Sequence, residues 1–146
     1  MKTTGTIRKF IYGITFFFLV LTGFGQMPVY KRYYISDIPG LDWISHFYIT
    51  HMMHYIASFI LISLAIYVLI SFVLKGAGTI TATGYIKVFT LAGLIASGVL
   101  LVIRNLPGVF LGHNLIIALD LIHLGLCMML IAVSIYTLIT KKSWIK

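Results

Sequence analysis

The stretch from His46 to Lys75, HFYITHMMHYIASFILISLAIYVLISFVLK, decides what kind of protein this is. Between Trp43 and Leu74 there is no Lys, Arg, Asp or Glu, and the run exceeds the ~20 residues that a helix needs to cross a bilayer. Yet His46, His51 and His54, three of the chain's five histidines, fall in its first third. An imidazole at membrane depth is costly unless it is bonded to something. Each is therefore a candidate metal ligand, a proton carrier, or a polar group that stops at the edge of the hydrocarbon.

Outward from this stretch the chain keeps the same character. Of its 146 residues 60% are hydrophobic and 10% are charged, with a mean hydropathy of +1.05, too little polar surface for a soluble domain. Charges and turn residues mark off four apolar segments, about 10–28, 44–74, 86–103 and 111–139. They predict an all-α integral membrane protein with four transmembrane helices. The short connections, Lys75 to Gly84 and Arg104-Asn105-Leu106-Pro107-Gly108, make consecutive helices antiparallel neighbours. The expected architecture is an up-down four-helix bundle forming one domain over 1–146. No internal repeat or low-complexity tract is visible.

Lys2, Arg8 and Lys9 followed by an apolar run resemble a signal peptide. That run ends in Gly23-Phe24-Gly25-Gln26-Met27-Pro28 without a small-x-small cleavage site, so a retained first helix is expected. The single cysteine, Cys127, excludes disulfides, thiolate-held iron–sulfur clusters and covalently attached haem as products of this chain alone. It reads as a packing residue.

The net charge of +8 is a topology signal and not a nucleic-acid surface. Lys2, Arg8, Lys9, Lys75, Lys87, Lys141, Lys142 and Lys146 fall on one side of the helices, and Lys31, Arg32 and Arg104 on the other, with Asp37 and Asp42. The positive-inside rule then puts both termini in the cytoplasm and loops 29–43 and 105–110 outside, in a cell inner (plasma) membrane. The outer loop Tyr30 to Gly40 is rich in aromatics and charge; it reads equally as a docking surface and as an aromatic belt.

His54 and His123 each follow the expected outer end of their helix, at Trp43 and about Leu111, by about ten residues. At 1.5 Å per residue both lie about 15 Å below that boundary. In an up-down bundle the second and fourth helices are diagonal, their axes on the order of 12–14 Å apart. Two imidazoles, each with a metal–nitrogen bond of about 2 Å, span a planar macrocycle at that separation. A bis-histidine haem b fits, with Ala57, Ser58, Gly125 and the small-residue run Gly93-Leu94-Ile95-Ala96-Ser97-Gly98 around it. Core histidines bonded to backbone, and close helix packing through small residues, are the plainer alternatives.

His51, one turn above His54 and about 60° round the helix, could bind a haem propionate, hydrogen-bond a quinone or carry protons; an ordinary interface histidine is the alternative. Asp120, about two turns into the fourth helix, must be paired or neutralised, with Arg104 a candidate partner. Arg104 could instead clamp haem propionates and leave Asp120 protonatable beside a quinol. His46 and His113 sit at the outer boundary.

At these residues the chain resembles the four-helix cytochrome b subunits of membrane-bound formate dehydrogenase and nickel–iron hydrogenase. The first helix, Arg8 to Gly23 with its Leu21-Thr22-Gly23 ending, is similar to that family's opening. His54-Tyr55-Ile56-Ala57-Ser58 looks like the helix-two ligand motif, and His123 suits the helix-four ligand. The resemblance spans most of the chain in short motifs. It implies electron transfer between a membrane quinone and an outer-face redox subunit, an iron–sulfur protein or multihaem cytochrome. The chain would then be part of a larger complex and not a stand-alone enzyme.

The family holds a second, deeper haem through an opening histidine and a further helix-four histidine. Lys9 stands in the first place and Thr137 near the second, so one haem is expected here. A haem-free, quinone-binding membrane anchor is the competing expectation. A small transporter using the same polar groups lacks a broken helix pair or an inverted repeat to support it.

Overall fold

The computed structural model describes residues 2–27, 37–74 and 79–142. Four long helices are present: α1 (Lys2–Gly25), α2 (Phe47–Leu74), α3 (Ala82–Ile103) and α4 (His113–Ile139). A short 3-10 helix, Asp42–Ser45, precedes α2. The protein is all-α, and all four helices are long and apolar enough to span a membrane, which makes it a multi-pass membrane protein. The helices fall into two compact units, residues 1–75 and 76–146, each a helical hairpin: α1 packs on α2, and α3 on α4.

The helix ends have local causes. α1 stops at Gly25, where the Gln26 amide bonds the carbonyls of Thr22 and Gly23 and the Met27 amide that of Phe24. The expected second helix, 44–74, is divided in two. Residues 42–45 wind as a 3-10 turn, His46 is extended (φ −75, ψ 97), and α2 begins at Phe47. The 3-10 turn is pinned by Ile44, which is 1% exposed and lies so close to Gly25 that a Cβ there would collide with the Ile44 side chain.

α3 begins four residues before the expected 86. Thr81 caps it, its hydroxyl accepting from the Gly84 amide at 3.1 Å. The turn into α4 uses Gly108 at φ 82, a conformation open to glycine. Lys87 lies inside α3, as the expected segment 86–103 has it. The docking loop expected at Tyr30 to Gly40 falls outside the described residues up to Ser36.

Burial is inverted relative to a water-soluble fold. Phe59, Val73, Leu74, Leu138 and Ile139 are all more than two-thirds exposed. The buried positions include Thr15, Thr22, Thr50, Thr90, Ser97 and Thr137. Small hydroxyl residues let helix backbones approach, and lipid has no use for them on the outside. Five of these six hydroxyls donate to a carbonyl of their own helix: Thr22 to Phe18, Thr50 to Phe47, Thr90 to Ile86, Ser97 to Gly93 and Thr137 to Ser134. None of these five donors is thereby left to face hydrocarbon.

Candidate functional site: two hydroxyl-held histidines

The 28 residues of α2 and the 27 of α4 make helices of about 42 and 40 Å, longer than the ~30 Å hydrocarbon core, so their first turns reach the interface. His54 is seven residues after Phe47, and His123 is ten after His113. The 3-10 turn takes up Ile44 and Ser45, the first two residues of the expected second helix.

Each histidine meets the first helix of its own hairpin in the same way. His54 Nδ1 lies 2.9 Å from Thr22 Oγ1. His123 Nδ1 lies 2.8 Å from Ser97 Oγ. Each hydroxyl is followed by a glycine that the ring covers. A Cβ at Gly23 would stand 3.3 Å from His54 Cε1, and one at Gly98 would stand 3.4 Å from His123 Cε1. In both hairpins the Nδ1–Cε1 edge of the imidazole is thus seated on a hydroxyl–glycine pair, Thr22-Gly23 or Ser97-Gly98. This repeated arrangement was not apparent as a sequence repeat, because only three side chains per hairpin carry it.

The polar residue one turn above each histidine is also held from the first helix. His51 Nδ1 is 3.1 Å from Gln26 Oε1, and its Nε2 is 2.7 Å from the Tyr55 hydroxyl. The ring stacks on Phe47, with centroids 5.0 Å apart. Gln26 Nε2 is buried without a hydrogen-bond partner among the described residues. In the second hairpin a single guanidinium nitrogen, Arg104 Nη1, donates to both Asp120 carboxylate oxygens, at 3.2 and 3.3 Å. This is the ion pair that the sequence offered as one alternative. It is made by one nitrogen and not by a two-nitrogen fork, which leaves the rest of the guanidinium for another acceptor.

His46 is exposed and lies 3.8 Å from Asp42, and His113 is the exposed first residue of α4; both sit at helix ends. Among the described residues no three His, Cys, Asp or Glu side chains gather as a metal site. At the other end of the second hairpin Lys87 Nζ donates to Thr137 Oγ1 at 2.6 Å. Thr22, Ser97, Gln26 and Tyr55 are the site residues that the sequence left unassigned. Their signal was present in the two hydroxyl–glycine pairs, Thr22-Gly23 and Ser97-Gly98, near the ends of the first and third helices.

The chain is thus a four-helix membrane protein with one buttressed histidine per hairpin. Compared with protein-family models, curated proteins and solved structures, it has no significant match in any of the three.

Proposed function

We propose that this protein is a membrane cytochrome b subunit that passes electrons between a membrane quinone and a redox partner at the outer face, through one haem b with His54 and His123 as axial ligands. The observation that carries this reading is the matched pair of histidines, one per hairpin, each with its Nδ1 edge held by a hydroxyl and a glycine. Metal-ligating histidines are characteristically fixed through the second ring nitrogen in this way. Among the described residues there is no third ligand near either one, so a protein-only site such as tetrahedral zinc has no support. A tetrapyrrole brings four ligands of its own and asks the protein for two. One imidazole from each hairpin would supply those two.

The other polar residues suit the same reading. Gln26, His51 and Tyr55 form a hydrogen-bonded chain beside His54, able to face a quinone oxygen and exchange its proton. Arg104, with guanidinium nitrogens beyond the one on Asp120, is suited to a haem propionate. The expectation of one haem rests on the residues at the family's deeper ligand positions, which are not imidazoles: Thr137, bonded by Lys87, near one and the exposed Lys9 at the other. The partner is an extracytoplasmic iron–sulfur protein or multihaem cytochrome, and the membrane is the cell inner membrane with both termini inside.

The test is the reduced-minus-oxidised spectrum and haem content of the purified protein. A sharp b-type alpha band and one haem per chain are expected, both lost in His54→Ala. Two haems per chain, or a His54→Ala protein with its full spectrum, would sink the ligand assignment. A colourless protein that still binds a quinone analogue would favour the haem-free anchor, which the Gln26–His51–Tyr55 chain could serve unaided.

A further inference from the structure

The Thr22 hydroxyl has one proton, and its short bond, 2.6 Å, runs to the Phe18 carbonyl. The contact with His54 Nδ1 at 2.9 Å must then use a lone pair of Thr22 Oγ1, with the ring as donor. Ser97 repeats the logic. Ser97 Oγ lies 2.8 Å from both the Gly93 carbonyl and His123 Nδ1; with its proton on the carbonyl, as for Thr22, Oγ accepts from His123 Nδ1–H. In a neutral imidazole only one nitrogen carries hydrogen, and the lone pair is left on Nε2.

We infer that Thr22 and Ser97 are positioning residues that hold His54 and His123 in the Nδ1–H tautomer, so that Nε2 is the metal-ligating atom in both hairpins. The inference rests on the haem reading for its purpose, but not for its tautomer. The bond from Nδ1–H to a hydroxyl does two things. It fixes ring rotation about the Cβ–Cγ bond, with Gly23 or Gly98 removing the Cβ that would push the ring away. It also places a hydrogen-bond acceptor behind each imidazole, which makes the ligand a better donor to iron and favours the ferric state. Two such acceptors, one per hairpin, lower the potential together.

The experiment uses the full-length protein. In haem-free protein with isotope-labelled histidine, nitrogen NMR reads the tautomer directly. Nδ1–H is expected at both His54 and His123, and an Nε2–H signal at either would overturn the inference whether or not haem binds. In the haem-loaded protein, Thr22→Val and Ser97→Ala are expected to weaken haem binding about tenfold and to raise the midpoint potential, with altered low-spin ferric spectra. Thr22→Ser should restore both. Loaded Thr22→Val and Ser97→Ala with unchanged potential and spectrum would overturn the positioning role, as would a shift that Thr22→Ser fails to reverse. Absence of haem from the parent protein would defeat the proposed function, while the NMR result would still decide the tautomer.

Discussion

In the α1–α2 hairpin the residue one turn above the histidine is His51, bonded to Gln26 and Tyr55; in the α3–α4 hairpin it is Asp120, bonded to Arg104. The histidine itself is held alike in both, by Thr22-Gly23 in one and Ser97-Gly98 in the other. Two hairpins with different helix lengths and dissimilar sequences have thus arrived at one way of seating an imidazole, and they differ in what they put beside it. The first has a chain of hydrogen-bonding groups that can pass a proton, and the second an ion pair that can fix charge. Seating an imidazole between helices needs only a hydroxyl and a missing Cβ, so many sequences can meet the requirement. The neighbouring group depends on the task, and there the hairpins diverge.

Under the proposed function the largest effects should come from the histidines. His54→Ala and His123→Ala are each expected to reduce bound haem to under about a tenth of the parent, since loss of a ligand costs at least as much as loss of its support. A protein that loses haem on one substitution and keeps it on the other would break the equivalence of the two hairpins.

Next come the close approaches. Gly25→Ala places a methyl into the Ile44 side chain and should cost about 1–3 kcal/mol of overpacking, read by detergent unfolding. Gly23→Ala and Gly98→Ala meet the imidazoles at 3.3 and 3.4 Å and should cost less while disturbing haem uptake in both hairpins alike. Gly13→Ala, with nothing within 4 Å, is the control and should stabilise α1 slightly.

The neighbouring pairs should separate the hairpins. A double-mutant cycle on Arg104 and Asp120 is expected to give a coupling of about 0.5–1 kcal/mol that falls as salt is raised, because Asp120 is half exposed. The cycle on Gln26 and His51 should give about 0.6 kcal/mol with no salt dependence. His51→Phe and Tyr55→Phe should weaken binding of a quinone analogue several-fold, whereas Asp120→Asn should not if the first hairpin alone meets the quinone. The smallest effect should be that of Lys87→Met. It removes the bond to Thr137 and should leave haem content unchanged, with under about 1 kcal/mol lost in unfolding.

Much of the fold was legible because length and apolarity are properties of each segment alone. The spans 10–28, 44–74, 86–103 and 111–139 correspond to α1–α4, with errors at the ends. Those errors have particular causes. Thr81, the cap of α3, falls in the expected connection, and Ile44 and Ser45 of the 3-10 turn fall in the expected second helix because nothing in their composition separates the two kinds of turn. The ion pair of Arg104 and Asp120 could be anticipated, since charges in a membrane protein have few partners. The partners of the histidines could not. Thr22 and Ser97 look like two more small residues at helix contacts until the facing helix is in place.

By itself the sequence determined that this chain is an all-α membrane protein with four spans, because the absence of charge over some twenty residues leaves a helix in lipid few alternatives. It also singled out His54 and His123, because an imidazole at membrane depth is costly unless it is bonded to something. Only the tertiary structure decided how those rings are held. The hydroxyl that accepts from Nδ1 lies 32 residues from His54 in one hairpin and 26 residues from His123 in the other. No local pattern encodes that pairing; it exists once two helices pack closely enough for a glycine to matter.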